Sequence, residues 1–125
     1  MKKALKIAAI SITPLVLIIG IVITYSFPSM CENKIIKIAT SPDSTNKIVL
    51  FERSCGATTG FSSQISIINN NDNLSNESGN IYIAEGYPSN YSMVWISNNS
   101  VYITGTSENN FKKVLKFNNI NIQYE

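Results

Sequence analysis

An all-β domain behind one N-terminal transmembrane helix is the fold class the sequence predicts. The β part is expected to be a single small antiparallel sandwich or partly open barrel of seven or eight strands. Three observations lead there. Residues 7–30 form a run of 24 without a charged side chain, directly after the basic start Lys2, Lys3 and Lys6. From Cys31 onward, short segments alternate apolar and polar residues with the period of two that a half-buried strand requires. No window beyond residue 31 sustains a helical repeat, and clusters of Asn, Ser, Gly and Pro punctuate the alternating segments.

The N-terminal run comes first. At about 1.5 Å per residue it covers roughly 36 Å of helix, enough for a hydrocarbon core of about 30 Å. Its centre, residues 15–23, reads LVLIIGIVI, and Pro14 is tolerable in a membrane helix. Three lysines before the run, with few basic residues just after it, set the N-terminus inside. Tyr25 and Phe27 are then expected near the outer interface. A cleavable signal peptide is the alternative, but its apolar region should span about 7–15 residues and end in small side chains. Thr24-Tyr25-Ser26 is a poor cleavage site, and a lipoprotein would need a small residue where Met30 precedes Cys31. All three readings place the remainder outside the cytoplasm. The expected organisation is a cytoplasmic basic start at 1–6, an anchor or uncleaved signal at 7–30, and an extracytoplasmic β domain at 31–125.

Cys31 and Cys55 are the two cysteines of the chain, and outside the cytoplasm an even count favours a disulfide. Such a bond closes a loop of about 25 residues, which the chain-entropy model values at roughly 3–4 kcal/mol. The competing reading is a nucleophilic or redox Cys55, for which Arg53 is the nearest group able to lower the thiol pKa. Residues 34–40 (KIIKIAT) and 47–53 (KIVLFER) flank the turn-rich stretch 41–46 (SPDSTN). Residues 60–68 (GFSSQISII) follow, then the polar loop 69–79 (NNNDNLSNESG). Further strands are expected at 80–85, 92–97, 101–105, 111–117 and 120–124, the last with Ile120, Ile122 and Tyr124 on one face. Trp95 sits mid-strand, where a core anchor is the expectation and an exposed binding residue the alternative. A propeller is excluded by length, since 125 residues suffice for about two blades.

Composition excludes more than it assigns. The chain has no histidine, which removes most catalytic triads and the commonest zinc and iron ligands. Its net charge of +2 combines three lysines before residue 7 with seven basic against eight acidic residues from Cys31 onward. Lys112, Lys113 and Lys116 are balanced elsewhere, so no nucleic-acid patch is expected. The sixteen asparagines fall mostly in turns, where they tolerate left-handed backbone, and the glycosylation-type triplets among them match by chance. Residues 69–79 have the oxygen-rich composition of a calcium loop without EF-hand spacing, so a solvated loop is expected there. Ser44-Thr45-Asn46-Lys47 matches S-x-x-K but has neither the helix start nor the K-T-G partner of the penicillin-binding enzymes. No catalytic residue, no metal ligand and no cofactor are expected.

The most distinctive stretch is 55–63 (CGATTGFSS). It lacks the Gly-Lys-Ser/Thr and following helix of a phosphate-binding loop. Either it is a tight connection whose glycines permit unusual backbone angles, or it is a surface of small side chains that a partner approaches closely. In the second case Gly56, Ala57, Thr58, Thr59, Gly60, Phe61, Ser62 and Ser63 are the candidate partner contacts.

This run resembles a group of small bacterial proteins of unknown function, membrane-anchored or secreted and β-rich, that carry a C-G-A-T-T-G-F-S motif. Cys31-Glu32-Asn33, Ser41-Pro42-Asp43, Gly79-Asn80-Ile81 and Val94-Trp95-Ile96-Ser97 continue the similarity over most of residues 31–125. Ser44-Thr45 departs from it, the family pattern more often having glycine after Ser-Pro-Asp. The resemblance implies one membrane-anchoring or signal segment followed by a short β-rich domain; with the N-terminal run, the expectation is a single-pass protein of the bacterial inner (cytoplasmic) membrane, its C-terminal domain periplasmic or extracellular. The resemblance supports the paired cysteines and the domain limits, and carries over no activity. The functional expectation is a non-enzymatic, membrane-tethered module that binds a protein or envelope component, an envelope inhibitor or immunity-type protein being one form. An accessory subunit of a membrane complex, or an enzyme using Cys55 or a nearby serine, are the alternatives.

Overall fold

The computed structural model describes residues 1–26, 30–56 and 58–125, with the side chains of residues 4–11, 25 and 26 outside the described set. The chain divides into two compact units, Met1–Met30 and Cys31–Glu125.

The first unit is helix α1, Lys2–Ser26, with Pro14 inside it and no acidic residue in its first turn. Lys2 and Lys3 sit where the helix dipole disfavours cations, and Pro14 withholds one backbone donor. Thr24 bonds back to the Ile21 carbonyl at 2.8 Å. Among the described residues no helix is long and apolar enough to cross a membrane. That overturns the transmembrane helix expected at 7–30. Tyr25, Phe27 and Pro28, on which interface and cleavage expectations rested, have side chains outside the described set.

In the second unit the described residues form nine strands in two sheets. Sheet A contains β1 (Glu32–Thr40), β2 (Asn46–Ser54), β3 (Phe61–Asn69), β4 (Tyr82–Glu85) and β7 (Asn110–Lys113), in the order β1-β2-β3-β4-β7. Sheet B contains β5 (Ser92–Ser97), β6 (Ser100–Thr104), β8 (Lys116–Phe117) and β9 (Ile120–Tyr124), in the order β5-β6-β9-β8. Ile48, Leu50, Ile65, Ile67 and Ala84 of sheet A pack with Met93, Val101, Ile103, Ile120 and Ile122 of sheet B. The result is a sandwich rather than a barrel.

Two features depart from the expected seven or eight antiparallel strands. Residues 111–117 do not form one strand, because the chain changes sheets there. Val114 donates to Ile81 at 2.9 Å on the sheet A side, and Leu115 accepts from Ile122 at 2.9 Å on the sheet B side. β9 therefore returns beside β6 in parallel, from Ser100 opposite Asn121 to Ile103 opposite Tyr124.

The β1–β2 hairpin is shaped by a conflict at its two ends. The Cys31–Cys55 disulfide is formed, and it continues the register of Glu32 with Ser54 through Ile35 with Phe51. At the other end Ser41 donates to the Asn46 carbonyl at 2.8 Å, setting Thr40 opposite Lys47. These registers differ by one residue, and a bulge between Ile35 and Lys37 absorbs the difference. The turn is held by side chains. Asp43 Oδ1 accepts from Ser41 Oγ at 2.7 Å and from Thr45 N at 3.1 Å. The Ser41 hydrogen bond, then that from the Thr45 backbone, holds the Asp43 carboxyl below the usual range. Ser44 takes φ 58°, the left-handed geometry that a glycine would otherwise supply. Its S-x-x-K partner Lys47 donates to the Asn70 carbonyl at 2.8 Å, so no serine–lysine pair exists.

Both faces of sheet A are covered in the middle of β2 and β3. Ile48 and Leu50 meet the core, while Val49 and Phe51, on the opposite face, are also 0% exposed. Residues 70–81, between β3 and β4, lie across that outer face as a strap. Lys47 holds Asn70, and Asn33 Nδ2 holds the carbonyls of Ser75 and Glu77 at 3.0 and 2.7 Å. Arg53 binds Asn33 Oδ1 at 2.6 Å and reaches Asn76. Buried Gln64 accepts from the Gly79 amide at 2.6 Å. Asn80 exchanges bonds with the Ile67 amide and carbonyl at 2.9 and 2.8 Å, as a neighbouring strand would. The loop is solvated as expected, with 71–73 and 75–78 exposed, and it is also pinned to the sheet. Side-chain amides make the bonds that backbone ladders make elsewhere.

Tyr82 joins core and loops. It is 0% exposed and packs against Tyr91 and Tyr124 at 5.8 and 5.7 Å between ring centroids. Its hydroxyl accepts from the Ser107 amide at 2.8 Å. Trp95, half-buried, donates to the Ala39 carbonyl at 2.9 Å and ties β5 to β1.

Candidate functional site

Sheet B is shorter than sheet A, and the Cys31–Cys55 end of β1, β2 and β3 is left open on its inner face. There lies a depression of about 330 Å³ lined by Glu32, Lys34, Glu52, Ser54 and Phe61. Register builds it. Glu32 stands opposite Ser54, which stands opposite Phe61, and Lys34 stands opposite Glu52, so alternate positions place all five on one face. The disulfide one residue beyond Glu32 and Ser54 fixes that register.

Two carboxylates and one ammonium share the depression, for a net charge of −1. Among the described residues Lys34 makes no ion pair with Glu32 or Glu52, and Ser54 makes no hydrogen bond to any of the three. A serine nucleophile would need such a base contact. Cys55 is in the disulfide, so the nucleophilic reading loses its thiol. Arg53, proposed to tune that thiol, points to the other face and clamps the strap.

The candidate contacts at 56–63 fall on the rim of this end, but not all are accessible. Gly56 is half-buried at φ 117° and accepts from the Thr59 amide at 3.3 Å, closing the turn. Thr58, Thr59, Gly60 and Phe61 are exposed. Ser62 is half-buried and bonded to the Arg53 carbonyl and to Gln64. Ser63 is 1% exposed, with its hydroxyl on the Gly86 carbonyl at 2.7 Å; it belongs to the support. Ala57 lies outside the described residues.

Sequence reasoning missed Tyr87 and the charged lining. Tyr87 is 62% exposed and stacks on Phe61 at 4.5 Å. The 86–91 connection carries it there, anchored by Gly86, whose amide donates to the Phe61 carbonyl at 2.9 Å. A pairing drawn outward from Cys31–Cys55 would have placed Glu32, Lys34, Glu52 and Ser54 on one face. No local signal marked Tyr87. Among the described residues no group of three or more His, Cys, Asp or Glu could hold a metal ion. Lys112, one of the clustered lysines, is engaged by the Gly79 carbonyl at 3.2 Å, and Lys113 lies over the Tyr124 ring at 5.0 Å.

No curated protein and no solved structure matches the chain. A family model matches residues 2–118, nearly its whole length. The chain therefore belongs to the Family of unknown function (DUF5412).

Proposed function

We propose that Cys31–Glu125 is a non-enzymatic binding domain that works outside the cytoplasm and engages a protein or envelope component through the open end of sheet A. The observation that carries this reading is the exposed Phe61–Tyr87 stack beside an uncovered depression. Aromatic side chains that are exposed yet held in place are the usual anchors of protein interfaces. Thr58, Thr59 and Gly60 add a rim of small side chains next to it, and nothing lies within 4 Å of where a Gly60 Cβ would be. A partner backbone can come close there. The disulfide supports the location, because such bonds persist in oxidising compartments. An inhibitor or immunity-type protein of the cell envelope is one form of this reading, with the C-G-A-T-T-G-F-S run as its contact signature.

Copurification of the full chain from crosslinked cells tests it. Gly60→Arg should abolish capture of a specific partner, while Val94→Arg, on the exposed outer face of sheet B, should leave capture intact. A Gly60→Arg protein that keeps every specific crosslink overturns the reading.

A further inference from the structure

Resting on that binding reading, we infer that the depression at the open end of sheet A receives the guanidinium of a partner's arginine, held by Glu52 and Glu32 against the Phe61 ring. Glu52 is half-buried, and its opposite residue by register is Lys34, the cation best placed to neutralise it. Yet no ion pair forms between them among the described residues. With two carboxylates to one ammonium, the lining keeps a net charge of −1 for an incoming cation.

The shape narrows the choice. At about 330 Å³ and open to solvent, the depression suits one long side chain. A free small molecule would be far less enclosed here than ligand pockets normally manage. A metal ion would meet the Lys34 ammonium and would lack a group of three ligating side chains among the described residues. The Phe61 ring, backed by Tyr87 at 4.5 Å, supplies an aromatic wall. A planar guanidinium can pack on such a ring and fork to a carboxylate at once, whereas a compact, strongly hydrated ammonium gains less from the wall. The exposed 58–60 rim would take the partner's backbone on either side of the arginine.

The test is an NMR titration of the oxidised, ¹⁵N-labelled full chain with acetyl-Gly-Arg-Gly-amide and with its citrulline counterpart, which has the same shape without the charge. The arginine peptide should give saturable amide shifts at Glu32, Lys34, Glu52 and Ser54, with Asn121 on sheet B unmoved. Citrulline should bind at least about fivefold more weakly, and Glu52→Gln should weaken the arginine peptide about fivefold. Lys34→Gln should tighten it about twofold by removing a like charge. Glu52→Gln keeps the shape of the side chain and Lys34→Gln shortens it slightly, and unchanged shifts in sheet B confirm the fold. Equal binding of the two peptides, shifts elsewhere, or Glu52→Gln without effect overturns the inference. A Gly60→Arg protein that loses its cellular partner, beside a wild type that ignores the arginine peptide, also overturns it and leaves the binding reading standing.

Discussion

Phe51→Ala tests whether residues 70–81 cover sheet A or wave in solvent. Phe51 lies on the face of β2 opposite the Ile48–Leu50 core, and on a one-sided sheet that face would be wet. Instead it is 0% exposed beneath the strap. Truncating a fully buried phenylalanine costs about 3–5 kcal/mol, transfer and cavity terms together. For a unit of this size 1 kcal/mol moves the melting temperature by about 4–8 °C, so a fall of about 12–40 °C is expected. Trp95 spans β5 and β1, so its fluorescence reports global unfolding of the full chain during heating or urea titration. Phe51→Leu should lose about 1–1.5 kcal/mol and guards against a variant that fails to fold. Ile38→Ala, on the same face but 49% exposed, should lose under about 1 kcal/mol. A Phe51→Ala loss no larger than that of Ile38→Ala would refute the pinned strap.

Three further outcomes are expected. The double variant Cys31→Ser/Cys55→Ser should lose about 3–4 kcal/mol; reductant should lower the wild-type urea midpoint to match and leave the variant unmoved, and an equal response in both would contradict the assignment. Gly105→Ala should cost about 2 kcal/mol or more, because φ is 80° and the new Cβ meets the Asn90 carbonyl. Gly60→Ala, in open space, should stay within about 0.5 kcal/mol in the same melts; equal effects would refute the geometry around Asn90. Burial, foremost, raises the phenol pKa of both Tyr91 and Tyr124. Their protonated forms are thus fully stabilising below the unfolded value of 10.0, and the contribution is lost as pH rises toward the folded values. Urea midpoints should therefore begin to fall above about pH 10, with phenolate absorbance appearing alongside unfolding. Midpoints that rise there would reverse the sign.

The strands were legible wherever one face is wet. β5 and β9 occupy the expected 92–97 and 120–124, because alternation directly records a half-buried sheet. Residues 111–117 misled, since crossing between sheets at Val114 and Leu115 interrupts hydrogen bonding without interrupting the apolar pattern. The 70–81 strap was illegible for a related reason. Its exposure was expected, but its attachments were not, because they are made by Asn33, Arg53 and Gln64 on distant strands. The parallel β6–β9 pair is a long-range consequence of that crossing, which no window of sequence contains. In the N-terminal helix a charge-free run suggested a membrane span, whereas among the described residues no helix is long and apolar enough to make one. At the candidate site the cysteine pair was legible, but the register it sets on Glu32, Lys34, Glu52 and Ser54 was not drawn from it. Phe61 was named from its motif, whereas its stacking partner Tyr87 arrives from a loop 26 residues later.

The binding role itself is tested most directly by a crosslinking footprint in cells. A photoreactive amino acid is placed in turn at Thr58, Gly60 and Tyr87 at the open end of sheet A, and at Val94 and Asn121 on the outer face of sheet B. One discrete partner band shared by the first three positions and absent from the last two is the expected result. A partner captured from sheet B, or equal yield at all five positions, would contradict a contact face at the disulfide-bonded end of the sandwich.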